Sequence, residues 1–123
     1  LKIFPNISYN VVKGMLSIPG LKGVILESYG SGNTMKDDWF IKLLKEAIDR
    51  DIIILNVSQC IGGSVIQGRY ETSKMLTEIG VISGSDITTE AAVAKMMHLL
   101  GNEKSIEQVK KKLSIPIRGE MTI

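Results

Sequence analysis

The stretch DIIILNV, residues 51–57, decides the fold of this 123-residue chain. It contains four consecutive apolar residues, three of them β-branched, and it shows no alternation between apolar and polar positions. A half-buried strand alternates in this way, whereas a parallel strand that is covered on both faces reads as a continuous apolar run. We therefore predict that this stretch is a buried parallel strand of an α/β domain.

Shorter strand-like runs and five helical patterns flank this stretch. The runs LKIF (1–4), GVIL (23–26) and VIS (81–83) predict three further strands. The spacing of apolar residues predicts helices over 7–16, 37–50, 71–80, 88–100 and 105–113, with Gly80 and Ser105 as cap residues. Strands that alternate with helices indicate parallel crossovers. We predict a three-layer α/β/α domain, Rossmann-like or flavodoxin-like, with a small, mainly parallel sheet of about four strands.

The composition is that of an ordinary globular domain, with 44% hydrophobic residues, 23% charged residues and a formal net charge of +2. A nucleic-acid-binding surface needs a basic stripe with stacking aromatic residues. The basic cluster at residues 110–112 instead lies in a helical pattern and predicts a solvated face. No apolar span is long enough to cross a membrane, and the single cysteine excludes an internal disulfide. We predict a cytoplasmic domain with neither a nucleic-acid partner nor a membrane.

Polar residues follow two of the predicted strands at their carboxyl ends, where open parallel sheets bind their ligands. If the two strands are neighbours, these side chains converge on one edge of the sheet and form a site for a small polar ligand. The candidates are Glu27, Ser28, Tyr29 and Asn33 in the first loop, and Asn56, Ser58, Gln59 and Cys60 in the second. The alternative is that both stretches are turns whose polar groups cap helices, and the pattern alone leaves both open.

The first of these loops contains Gly30 and Gly32, but it matches neither phosphate-binding motif. A Walker loop carries Lys-Ser/Thr after its last glycine, whereas here Asn33 and Thr34 follow Gly32. The dinucleotide-binding fingerprint needs a third glycine where this chain has Met35. We therefore predict that no nucleotide or other cofactor binds.

No catalytic or metal-binding set can be assembled from the residues. A cysteine nucleophile needs a neighbouring base, and the only histidine, His98, lies in a predicted helix far along the chain from Cys60. One cysteine and one histidine are too few for a zinc site. The acidic pair Asp37 and Asp38 opens a helix, where carboxylates stabilise the helix dipole. We predict no catalytic residue and no metal site.

Four stretches, LESYGSGN (26–33), DRDIIILNVSQC (49–60), GVISGSDITTEAAVAKMMHLLG (80–101) and IRGEMT (117–122), occur in a distinctive order and spacing. Together they resemble the C-terminal domain of cytoplasmic, type I-like bacterial L-asparaginases and of related eukaryotic domains. The resemblance covers essentially the whole chain. It implies that residues 1–123 are one domain, the C-terminal domain of a longer two-domain enzyme that hydrolyses L-asparagine to L-aspartate and ammonia. The family's catalytic residues lie in an N-terminal domain absent from this chain, so the isolated fragment is expected to be inactive.

The resemblance implies two roles for such a domain. It packs against a neighbouring subunit in a homodimer or homotetramer, and in type I enzymes it helps to bind L-asparagine, or aspartate, as an allosteric effector. By position, Ser58 supplies a hydroxyl contact and Cys60 lines the pocket. The implied effector pocket comprises Glu27, Tyr29, Gly30, Gly32, Asn33, Ser58, Gln59 and Cys60.

Glu27 departs from the family pattern. Some cooperative bacterial members carry an arginine at this position, and a guanidinium can hold the effector's carboxylate in a bidentate grip. A glutamate repels that carboxylate and attracts the ammonium. The sequence therefore leaves open whether asparagine regulates this member.

The alternative is a free-standing, small-ligand-binding α/β module with no catalytic activity. A receiver-like module would need an aspartate at a strand end, where this chain has Glu27 and Asn56. The chain also starts at Leu1 rather than at a methionine. Both observations favour the asparaginase domain.

Overall fold

The computed structural model describes residues 1–67 and 71–122, and the apolar run lies at the centre of its sheet. Strand β2 (Ile53–Ser58) has all six residues buried. It pairs in parallel with β1 (Gly23–Ser28) along its whole length and with β3 (Ile82–Ser83) over two residues. The strand order is β1-β2-β3. The prediction of a buried parallel strand is confirmed.

The first predicted strand is reduced to a single bridge, so the described sheet has one strand fewer than the sequence predicts. Lys2 forms an isolated parallel bridge with Glu27. The N–H of Ile3 donates to the Glu27 carbonyl at 3.2 Å. Pro5 has no N–H to continue the pairing, and the chain turns at Asn6, whose φ is 69°. Strand pairing between the N-terminal residues and β1 therefore stops after this single bridge.

Within the described ranges five helices cover the sheet: α1 (Tyr9–Leu16), α2 (Asp38–Asp49), α3 (Glu71–Ile79), α4 (Thr89–Asn102) and α5 (Ile106–Leu113). The hydroxyl of Ser105 accepts the Gln108 N–H and begins α5, as predicted. Gly80 follows the end of α3 with a φ of 103°, also as predicted. None of the described helices is long and apolar enough to cross a membrane.

Two apolar clusters, one on each face of the sheet, complete the three layers. Ile54 of β2 belongs to the first cluster, which packs under α1, α2 and α3. Ile53, Leu55 and Val57 belong to the second cluster, which packs under α4 and α5. Burying each side chain of this size stabilises the fold by about 1.5–3 kcal/mol. Because β2 carries such side chains on both faces, helices must cover both faces to exclude water from them. The predicted α/β/α architecture is confirmed.

A buried ion pair fastens the C-terminal tail, residues 114–122, to α4. The side chain of Lys95 is only 5% exposed, and its Nζ lies 2.7 Å from a carboxylate oxygen of Glu120. The same ammonium donates to the carbonyls of Leu113 at 3.2 Å and Ile115 at 2.6 Å. The tail also brings Met121 into the second cluster. Burying an unpaired ammonium costs free energy, and the Glu120 carboxylate and the two tail carbonyls together offset that cost for Lys95.

Glu120 is held in its ionised form. Burial opposes ionisation, but the Lys95 ammonium and the N–H groups of Arg118 and Ile117 outweigh it and lower the pKa of Glu120 to about 2. Its ordinary value is 4.5. Because the pKa is lower in the folded chain, ionised Glu120 stabilises the fold above the ordinary value and loses that effect as the pH falls through the folded value.

We expect Glu120→Gln to lower the free energy of unfolding by about 3 kcal/mol at neutral pH, since the variant leaves Lys95 without a counter-charge. The difference from the parent chain should shrink as the pH falls below the ordinary value of 4.5 and be smallest below the folded pKa of about 2, where Glu120 is mostly protonated. Urea unfolding at a series of pH values, followed by circular dichroism, measures this.

Asp49→Asn is the matched control, because the Lys45–Asp49 pair is more than half exposed on both sides. It should change the free energy of unfolding by less than about 1 kcal/mol. A Glu120→Gln effect that is equal at every pH would contradict the electrostatic explanation.

Candidate functional site

The carboxyl ends of β1 and β2, with the loops that follow them, form what we call the polar rim, residues 27–34 and 56–67. Ser28 and Ser58 are partners in the parallel pairing, so the two strands end at the same level. The N–H of Gln59 then donates to the Ser28 carbonyl at 2.9 Å. The two polar loops are therefore neighbours, as the sequence predicts.

Asn56 is the centre of a hydrogen-bond network beneath the rim. It is fully buried, and its side-chain oxygen accepts a hydrogen bond from the Ser28 hydroxyl. Its Nδ2 donates to the Gly32 carbonyl at 3.0 Å and to the side-chain oxygen of Gln67 at 3.2 Å. In the described part of the chain, no buried side-chain polar atom lacks a partner. The amide of Asn56 therefore holds the glycine loop against β2.

The glycine loop is a tight turn closed by its own backbone. The N–H of Tyr29 donates to the Asn33 carbonyl at 2.8 Å, and the N–H of Asn33 donates back at 3.0 Å. Gly32 has a φ of +104°, and a Cβ at this position would lie 2.7 Å from Cγ1 of Val65. The ring of Tyr29 packs against the first apolar cluster. Position 32 therefore strongly favours glycine, for both backbone and steric reasons.

Ser58 closes the rim from the side of β2. Its hydroxyl donates to the Gly30 carbonyl at 2.6 Å and accepts the N–H of Cys60 at 3.1 Å. Gly63 passes so close that a Cβ there would lie 2.3 Å from the Ser58 oxygen. The thiol of Cys60 is exposed. The structure thus brings Ser58, Cys60 and the glycine loop together.

Two further rim side chains, Gln59 and Asn33, bond the rim to the N-terminal residues, to β1 and to α3. Nε2 of Gln59 donates to the carbonyls of Ile3 and Glu27, at 2.6 and 2.8 Å. The side-chain oxygen of Asn33 accepts a hydrogen bond from the hydroxyl of Thr72 in α3. Both side chains are therefore engaged with other parts of the fold.

Glu27 does not point toward the other polar side chains. Successive strand residues point to opposite faces of a sheet, and Ser28 points toward Asn56. The carboxylate of Glu27 instead accepts the hydroxyl of Thr89, at the start of α4, at 2.9 Å. This predicted pocket residue therefore lies on the α4 face, across the sheet from Asn56.

Three residues that the sequence did not nominate bond to the nominated side chains: Gln67 from the end of the second loop, Thr72 from α3 and Thr89 from α4. They bond to rim residues that lie 11, 39 and 62 positions away in the chain. No local pattern marks them, because each is an ordinary polar residue of a helix or loop. Only the packing of the helices on the sheet brings them to this place.

The structure does not bring Cys60 and His98 together. His98 lies nine residues beyond Thr89 on α4, about 14 Å along the helix from the level of the rim. Its Nδ1 lies 3.3 Å from the amide nitrogen of Asn102. Within residues 1–67 and 71–122, no group of three metal-ligating side chains occurs.

Comparison with known proteins gives the family. The profile described as "Glutaminase/Asparaginase C-terminal domain" matches residues 1–113. The chain belongs to this family. The resemblance of this asparaginase C-terminal domain to type I L-asparaginases is thereby confirmed.

Individual relatives of the asparaginase domain agree with the profile. L-asparaginase 1 of Escherichia coli K12 is 42% identical over 120 residues, which are 98% of this chain and 35% of that protein. L-asparaginase of Dirofilaria immitis is 42% identical over 127 residues, covering 100% of this chain and 21% of that protein. The crystal structure of L-asparaginase I from Vibrio cholerae superposes with a TM-score of 0.93 at 40% identity, over 100% of this chain and 37% of that one. The chain thus spans about a third or less of these relatives.

Gly30 and Gly32 form a matched pair for testing the loop. Both have a positive φ, but the space beside Gly30 is open, whereas a Cβ on Gly32 would meet Val65. We expect Gly30→Ala to cost about 1 kcal/mol of unfolding free energy and Gly32→Ala about 3 kcal/mol, because strain and overpacking add. Urea unfolding of both variants measures this, and equal costs would contradict the steric account.

Proposed function

We propose that this chain is the C-terminal oligomerisation and effector-binding domain of an L-asparaginase, whose full-length form hydrolyses L-asparagine to L-aspartate and ammonia. The observation that carries the proposal is the family match over residues 1–113, together with coverage of 98% of this chain but only 35% of the E. coli enzyme. The bond-breaking residues then belong to a separate N-terminal domain. The separation of Cys60 from His98 supports the assignment of catalysis to a different domain.

The effector site in this proposal is the polar rim, and L-asparagine or aspartate is the ligand. The Ser58 oxygen accepts one hydrogen bond, from the Cys60 N–H, so a second lone pair can accept from the ligand's ammonium. The Cys60 thiol is exposed beside it. These two residues and the glycine loop meet within a few ångströms, which suits an amino acid.

Glu27 brings a negative charge near this site, although its carboxylate lies on the α4 face of β1 and not among the other rim side chains. A carboxylate near the end of β1 opposes a ligand carboxylate and favours a ligand ammonium. Its hydrogen bond to Thr89 also ties it to the first turn of α4. Any change at Glu27 therefore acts on ligand preference and on the contact between β1 and α4 together.

Exposed apolar residues around the rim support a contact with a neighbouring subunit in a homodimer or homotetramer. Phe4, Ile61 and Ile66 are each about half exposed or more. Apolar side chains grouped around a polar site are typical of surfaces that another protein covers. A single free cysteine agrees with a reducing, cytoplasmic location.

The 123-residue chain alone should release no ammonia from L-asparagine above the uncatalysed rate. A coupled ammonia assay measures this, with the full-length enzyme at the same molar concentration as the positive control. Turnover by the isolated chain would refute the division between a catalytic domain and this one. A coding sequence that starts at Leu1 would favour the free-standing ligand-binding module instead.

In the full-length enzyme, we expect Glu27→Arg to lower the asparagine concentration needed for activation by about tenfold, since one charge-assisted bond contributes about 1.5 kcal/mol. Glu27→Gln is the matched control, because it removes the negative charge without adding a cation and should give a smaller shift. Substrate saturation curves and calorimetry measure both. Hyperbolic curves that neither variant changes, with one binding event per subunit, would contradict effector binding at the rim.

A further inference from the structure

A second concave site lies away from the rim, between α4 and the C-terminal tail. We call it the α4–tail groove. Its volume is about 350 Å³, which is within the range of small-molecule sites. It is lined by Ala91, Ala94, Lys95 and His98 from α4 and by Ile117, Arg118 and Glu120 from the tail.

The α4–tail groove has an apolar floor. Ala91 and Ala94 are three positions apart on α4, so their methyl groups lie on the same side of the helix. Ile117 faces them from the tail and is 45% exposed. Two methyl groups from α4 and the branched side chain of Ile117 therefore offer an apolar surface to a ligand.

Lys95 and Glu120 form the back wall of the groove, and their charges cancel. Lys95 and Glu120 neutralise each other at 2.7 Å. The Glu120 carboxylate also accepts the backbone N–H groups of Ile117 and Arg118, at 2.8 and 2.7 Å. The wall therefore offers no free charge to a ligand, although it keeps the tail in a single position.

One cation at the groove remains available. Among residues 1–67 and 71–122, no carboxylate forms an ion pair with the exposed Arg118 guanidinium. His98 also lines the groove, and its Nδ1 lies 3.3 Å from the amide nitrogen of Asn102. When Nδ1 accepts from that amide, Nε2 carries the ring hydrogen and can donate to a ligand. The groove thus presents a bidentate cation and an imidazole N–H donor, a set that matches a single carboxylate.

We infer that the α4–tail groove binds a small monocarboxylate with a flat apolar body. The carboxylate pairs with Arg118 and accepts from His98 Nε2, and the apolar body lies on Ala91, Ala94 and Ile117. A dianion is disfavoured because Arg118 is the one cation of the described groove lining that no ion pair already neutralises. This site is independent of the rim and of the proposed asparaginase role.

Titration of the ¹⁵N-labelled chain with sodium phenylacetate, followed by NMR, tests the inference. We expect saturable shifts confined to Ala91, Ala94, His98 and residues 117–120, with a Kd of about 0.1–1 mM for a ligand of this size. Phenylacetamide, which lacks the charge, and acetate, which lacks the ring, should each bind at least about tenfold more weakly.

Three variants separate the contributions. Arg118→Gln should raise the Kd at least about tenfold, and Ala94→Phe should abolish binding by filling the floor. Both residues are exposed, and circular dichroism checks that each variant is folded. Lys111→Gln removes an exposed cation from α5 and should leave the Kd unchanged. Absence of saturable shifts, shifts centred on the rim, or an unchanged Kd in Arg118→Gln would overturn the inference.

Discussion

Asn56 places an amide side chain in the middle of a strand that is buried over its whole length, and each hydrogen bond of that amide fixes a different part of the rim. Its oxygen accepts from Ser28 of β1, and its nitrogen donates to Gly32 and to Gln67. Its backbone carbonyl accepts the Gly84 N–H, at 2.8 Å, after β3. A buried amide without these partners would cost about 1–3 kcal/mol for each unsatisfied group, so the loops cannot move independently of the sheet.

This constraint decides how the rim can work as a binding surface. The hydroxyl of Ser58 already holds the Gly30 carbonyl, and the N–H of Cys60 already donates to Ser58. A ligand at the rim must therefore use the remaining lone pair or compete with bonds that hold the glycine loop. In the second case, ligand binding would shift the position of the glycine loop, so the two are coupled. An effector can act at a distance only through a coupling of this kind.

Most of the fold follows from the sequence because its signals are local. A continuous apolar run identified β2, and hydroxyl and glycine caps identified the ends of α5 and α3. The number of strands was overestimated by one, because LKIF has the composition of a strand but Pro5 and the turn at Asn6 stop its pairing. The grouping of polar residues at adjoining strand ends was predictable from parallel topology alone.

The interior of the site was less predictable. The two-residue alternation of a strand would have separated Glu27 from Ser28, yet both were assigned to one surface. Thr72 and Thr89 bond to rim residues 39 and 62 positions away, which no local pattern reveals. The match to known asparaginase domains supplies the family, whereas the hydrogen bonds of this chain show which polar groups are already engaged.

The ion pair between Lys95 and Glu120 makes the last residues of the described chain part of the second layer. Proteolytic trimming after α5 would remove few residues, among them the buried Met121. It would, however, leave an ammonium among the side chains that pack between α4 and α5, with no anion beside it. That layer would then have to open and admit water, so a small loss of mass would become a large loss of stability.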